Sequence, residues 1–224
     1  MTYWILFIGV SLVSWLVQRN LTKKFETYSR VPMSGNLTGR DVAQRMLNEN
    51  GIYDVTLKQV GGDLTDFFNP GDMSVNLSDS VYGSNSIAAA AVAAHECGHA
   101  VQHRTGYSML VLRTKLVPVV TFASKWVTWV LLAGILLIEV FPPLLWAGVG
   151  LFAMTTLFSF VTLPVEVDAS RRAIQWLEAS GIAQDGTSTM AKDALRAAAY
   201  TYVAAALGSL ATLVYYGMML LRRN

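Results

Sequence analysis

The stretch His95-Glu96-Cys97-Gly98-His99 sets two imidazoles four positions apart, with a carboxylate directly after the first. In a helix, residues four apart share a face, one turn from each other. Two imidazoles so placed can hold one metal ion, and the Glu96 carboxylate can reach a water on it. This is the H-E-x-x-H arrangement of zinc metallopeptidases, two ligands and a general base. The run before it, Ile87 to Ala94, is mostly alanine, the strongest helix former, so the motif falls on a helix as the chemistry requires. Ser84, Asn85 or Ser86 can cap that helix, which should run to about Arg104. Cys97 points away from the imidazoles and reads as a small packing residue. As the single cysteine, it rules out an intrachain disulfide.

A catalytic zinc usually takes a third protein ligand and a water. His103 lies one turn beyond His99, but along a continuous helix it is about 12 Å from His95. It reads as a neighbour of the site, not a ligand. Two carboxylates, Glu166 and Asp168, stand in Leu163-Pro164-Val165-Glu166-Val167-Asp168-Ala169-Ser170-Arg171-Arg172-Ala173. Pro164 suits the start of a helix there, acidic residues suit its first turn, and Gly181 closes it. A carboxylate from this segment is the expected third ligand.

The rest of the chain must bring these groups together. It is 53% hydrophobic with a mean hydropathy of +0.41, and only 14% charged, where soluble domains carry about 25%. That composition predicts a membrane protein. The net charge of +2 gives no reason to expect a nucleic-acid partner. We read a mainly α membrane protein with about four transmembrane helices and a small zincin-like α+β region on one membrane face. Residues 1–18 form an amino-terminal anchor, apolar from Tyr3 to Val17 and short for a span of about 20 residues. Residues 19–116 hold the catalytic region. In it, Thr38-Gly39-Arg40-Asp41 resembles a capping box and Gly51 stops the helix that follows. Strands are expected over Ile52–Val60 and Met73–Leu77, with a turn-rich loop between them. Residues 117–163 give two spans that turn at Phe141-Pro142-Pro143, 164–197 the helix with the third ligand, and 198–224 a last span.

Of 17 Lys and Arg, ten lie in 19–116 and four in 164–197; Arg222 and Arg223 fall on the other side. The positive-inside rule therefore puts the active site in the cytoplasm.

Together the zinc motif with Ala100-Val101-Gln102, Leu64-Thr65-Asp66 with Asn69-Pro70, and Pro164 to Ala173 resemble the YugP-like family of neutral zinc metallopeptidases of bacterial membranes. The likeness spans roughly Thr38 to Ala173. Phe67 stands where the family pattern has His. The segment around Glu166 is also similar to the distal motif of HtpX-like and CAAX prenyl peptidases, in which a Glu is followed four residues later by Asp. The resemblance implies Glu166 as third ligand. Ser170 takes the position of that Asp, so Ser170, Asp168 and His103 are the residues expected to support the ligands.

The expected reaction is peptide-bond hydrolysis at one Zn2+ per chain. His95, His99 and Glu166 hold the ion, and Glu96 takes the proton of its water. Tyr82, Tyr107, Arg171 and Tyr200 are candidate donors to the oxyanion. A peptide or protein substrate would pair with Met73–Leu77 as an edge strand. The expected partners are that substrate, the lipid bilayer, and an accessory membrane protein or second copy of the chain. Two other readings are a non-catalytic membrane zinc adaptor and an intramembrane-cleaving metalloprotease. The second would need the motif helix itself to cross the bilayer.

Overall fold

The computed structural model describes residues 2–221; Arg222 and Arg223, used in the charge count, lie outside them. In chain order the elements are α1 (Thr2–Tyr28), α2 (Gly39–Glu49), β1 (Thr56–Val60), β2 (Phe67–Asn69), β3 (Ser74–Ser78), α3 (Asp79–Tyr82), α4 (Ile87–Arg104), α5 (Ser108–Leu136), α6 (Pro142–Ala179) and α7 (Asp185–Leu221). Four of these, α1, α5, α6 and α7, are long and apolar enough to cross a membrane. Apolar side chains such as Ile5, Leu12, Trp129 and Val214 point outward along them, as lipid-facing residues do.

Each spanning helix runs on past the point where its sequence turns polar. At 1.5 Å per residue, the 38 residues of α6 reach about 57 Å, against a hydrocarbon core of about 30 Å. The same holds for α1, which continues through Arg19, Lys23 and Lys24 to Tyr28. Pro164 does not begin a new helix: it lies inside α6, so Glu166 sits on the rigid extension of a membrane span. A helix-interior proline costs one hydrogen bond, and membrane helices tolerate it where neighbours hold them.

The polar ends of these four helices gather on one side, around the remaining elements. The Thr38 cap of α2 is a full capping box: Asp41 N–H donates to Thr38 Oγ1 at 3.2 Å, and Thr38 N–H to Asp41 Oδ2 at 3.0 Å. Val42, Ala43, Met46 and Leu47 of α2 then join the buried core, with α2 packed against α4. Ser86 caps α4, its hydroxyl accepting from Ala89 N–H at 3.2 Å.

The sheet has the order β1-β3-β2, with β1 parallel and β2 antiparallel to β3. This corrects the expectation that Met73–Leu77 is an edge strand. β3 is the central strand and every one of its residues is buried. The edge beside the motif helix is β2, three residues inside the expected loop.

Candidate metal centre

The position of α4 against α6 is set by Gly98. A Cβ built on Gly98 would lie 2.7 Å from the backbone oxygen of Ala169. Only a glycine lets the two helices cross this closely, which brings the turns carrying His95 and His99 against Glu166 and Ser170. Gly98→Ala is expected to destabilise the protein by about 1–3 kcal/mol, the usual cost of overpacking, and to weaken zinc retention; thermal unfolding with and without added zinc measures both.

His95, His99 and Glu166 form the cluster of possible metal ligands, their donor atoms all within 4.8 Å of one another. His95 Nε2 lies 3.2 Å and His99 Nε2 3.6 Å from Glu166 Oε2. Bonds of about 2.0–2.1 Å at a tetrahedral ion place ligand atoms about 3.4 Å apart, so both distances suit one zinc.

The proton on His99 can be placed. Gln102, one turn further along α4, has its side-chain Nε2 donating to Val165 O at 2.8 Å and to Asp168 Oδ2 at 3.0 Å. Both partners are acceptors only, so the amide cannot be flipped. Its oxygen, 3.0 Å from His99 Nδ1, must accept from an Nδ1–H. Nε2 is therefore the ring atom that faces Glu166, where it can donate to the carboxylate when protonated or give its lone pair to a metal ion. The His95 ring is held too, with Nδ1 3.1 Å from the Ser170 hydroxyl, which can serve as donor or acceptor. Such partners on the outer ring nitrogen orient metal-binding imidazoles. Two imidazole nitrogens and a carboxylate that converge in a buried place suit a positive ion. The donor set of nitrogen, nitrogen and oxygen suits zinc. The same field acts on His99: burial alone would depress its pKa, but the hydrogen bond to Glu166 and the charges of Glu96 and Glu166 outweigh burial and raise it.

Glu96 is buried beside the cluster without belonging to it. Its Oε2 accepts from the Phe68 N–H of β2 at 3.0 Å. Asp66, just before β2, accepts from Ser78 N–H at 2.7 Å and from the Ser78 hydroxyl, which ties the loop to the sheet. Burial, with a contribution from the Glu96 charge, raises the Asp66 pKa. Cys97 is fully buried on the far side of α4, its Sγ 3.6 Å from Ala43 O, and burial pushes its pKa up. It faces the core and lies outside the cluster.

Two cavities meet at His95 and Glu96, of about 430 Å³ and about 270 Å³. Tyr202 and Asp66 line both. None of the four expected oxyanion donors lines either one. Tyr82 lies under Arg40, and Tyr107 under Arg172. Arg171 pairs with Asp168, because five positions from Glu166 it is turned off the face that Ser170 shares with Glu166. Tyr200 is 58% exposed, since two positions along α7 point it away from the side of Tyr202. Polar donors that do line the larger cavity include Arg113, whose Nη1 is 3.5 Å from Glu166 Oε1, and Tyr202, which feels the charges of Glu166 and Glu96. In the sequence both look like ordinary residues of a membrane boundary. His103 is exposed, its ring beside Phe68 and outside the metal cluster. Asp168 is tied to His99 only through Gln102, and to Arg171 and Arg172.

A family model described as "Putative neutral zinc metallopeptidase" matches residues 3–221. The chain belongs to that family. It is also 43% identical, over 93% of its own length and 92% of the relative's, to "Putative membrane protease YugP" of Bacillus subtilis (strain 168). No solved structure matches the chain. Membership of a zinc metallopeptidase family agrees with the donor set, and a membrane protease as relative agrees with the four apolar helices. The match also covers α1 and α7, beyond the segment from Thr38 to Ala173 on which the sequence resemblance rests.

Proposed function

We propose that this chain is a membrane-embedded zinc endopeptidase that hydrolyses peptide bonds where its four long helices leave the bilayer. The observation that carries this reading is the convergence of His95, His99 and Glu166 with Glu96 beside them, all at the wall of open cavities. His95, His99 and Glu166 hold one zinc ion. When bound, zinc supplies Lewis acidity, lowering the pKa of water towards about 7 and polarising a carbonyl.

The chain's own residues do the rest. Glu96 takes the proton of the attacking water and returns it to the leaving amine. Its bond from Phe68 N–H leaves the other carboxylate oxygen for that task. Ser170 and Gln102 keep the two imidazoles turned with Nε2 inward. Arg113 neutralises part of the charge of Glu166, and Tyr202 offers a hydroxyl to the carbonyl oxygen as it gains charge. The substrate lies extended beside β2, the edge strand whose Phe68 N–H faces Glu96.

The motif helix α4 is not among the candidate spans, and Ser84 to Ser86 and Arg104 bound it with polar residues. This favours cleavage at the membrane boundary over cleavage inside the bilayer. The distribution of Lys and Arg supports an active site facing the cytoplasm.

Chelation tests the function directly. Purified protein in detergent is expected to cut an unfolded protein substrate, to stop when zinc is stripped, and to recover when about one equivalent returns. Cleavage that persists at full rate in the stripped protein would contradict the proposal.

A further inference from the structure

Of the three candidate ligands, the smaller cavity reaches only His95. It lies on the other side of Glu96 from Arg113, walled by Leu21 and Phe25 of α1, Ala91 and Val92 of α4, and Ala194 and Ala198 of α7. Its origin is visible in the packing. α1 leans along α7, fixed by Asp193, which binds Lys24 Nζ at 2.5 Å and accepts from the Tyr28 hydroxyl at 2.6 Å. The same helix barely touches α4. Where α1 stands off from α4, both α4 and α7 present alanines, which are too small to fill the gap. The space opens onto His95, Glu96 and Tyr202.

The geometry points to this cavity as a specificity subsite that takes one large apolar side chain, Leu, Met or Phe, next to the scissile bond. The inference rests on the endopeptidase function above and names the kind of residue it selects. Size is the first argument. Pockets for whole ligands run to about 300–1,000 Å³, and about 270 Å³ suits a single large side chain. The second is the chemistry of the walls. Apart from the shared residues Asp66, His95, Glu96 and Tyr202, the lining is apolar except for Gln18 and Thr201. Asp66 is held by Ser78, and Glu96 by Phe68 through one oxygen; their charge would repel an acidic side chain, and the remaining walls offer no charged group. Filling such a pocket gives about 10–200-fold discrimination for a hydrophobic group of the right size.

The test compares the full-length, zinc-loaded protein with Ala198→Phe and Ala194→Leu on a set of unstructured peptides that differ at one position, with cut sites read by mass spectrometry. Wild-type protein is expected to cut beside Leu, Met or Phe with kcat/KM at least about tenfold above the Ala counterpart. Ala198→Phe fills the cavity one turn before Tyr202 and should lower that ratio at least tenfold, mainly through KM. Ala194→Leu should shift it in the same direction and by less, and it serves where the larger residue prevents folding. A wild-type preference for basic or small residues, or an unchanged ratio in a variant that still cuts, would overturn the subsite. Absence of any Glu96-dependent cleavage by wild-type protein would overturn the peptidase function itself.

Discussion

Glu96→Gln is expected to bind zinc as the wild-type protein does and to lose about 10²–10⁴ of its rate of peptide hydrolysis. The substitution keeps the size of the side chain and an oxygen able to accept the Phe68 N–H bond at 3.0 Å. What it removes is the ability to take a proton. Glu96 lies outside the cluster of ligand atoms, so the metal should stay. The paired measurement is zinc per chain by mass spectrometry and the rate of peptide cleavage on the same sample. A variant that keeps its zinc and cuts within a few-fold of wild type would remove Glu96 from the mechanism. A variant that loses zinc would instead show Glu96 to be structural.

Glu166→Ala should act on the other half of the site. It deletes one of three donor groups and leaves Arg113 facing two imidazoles without the carboxylate it now approaches at 3.5 Å. Loss of a partner that only orients a ligand typically costs about 10–100-fold in metal affinity, and loss of the ligand itself should cost more. Asp168 cannot take over, because Gln102, Arg171 and Arg172 already occupy its oxygens. Zinc is expected to fall well below one per chain after dialysis against a weak chelator, and activity with it. Undiminished zinc in this variant would move the third donor to another residue.

The part of this site that was legible from sequence is the part built within one helix. His95, Glu96 and His99 need only a helical turn to be neighbours, and the alanines before them announce the helix. Glu166 is 71 residues from His95, and no spacing rule reaches so far; the family resemblance pointed to it. Gln102 was quoted in that resemblance, but nothing marks a neutral amide as the group that sets a histidine's proton. Arg113 and Tyr202 sit at the ends of apolar stretches, where basic and aromatic residues are ordinary membrane anchors. Only the convergence of α5, α6 and α7 gives them an active-site address.

The fold was legible in a similar way. The four apolar helices, the caps at Thr38 and Ser86 and the stops at Gly51 and Gly181 follow from local signals, and each is present. The boundary at Pro164 was misread because two signals coincided there: a proline, which suits a helix start, and a change from apolar to polar sequence. Polarity marks where the bilayer ends, while the hydrogen-bonded helix runs on into water to Ala179. β2 is hard to see because three residues between glycine- and aspartate-rich turns carry no alternation to detect.

X-ray absorption at the zinc edge of the purified wild-type protein tests the central claim most directly. The account predicts one zinc per chain with only nitrogen and oxygen neighbours at about 2.0–2.2 Å, two of them imidazoles, and a carboxylate signal that disappears in Glu166→Ala. A sulfur neighbour at about 2.3 Å, which would bring in Cys97, or a third imidazole, which would bring in His103, would contradict it.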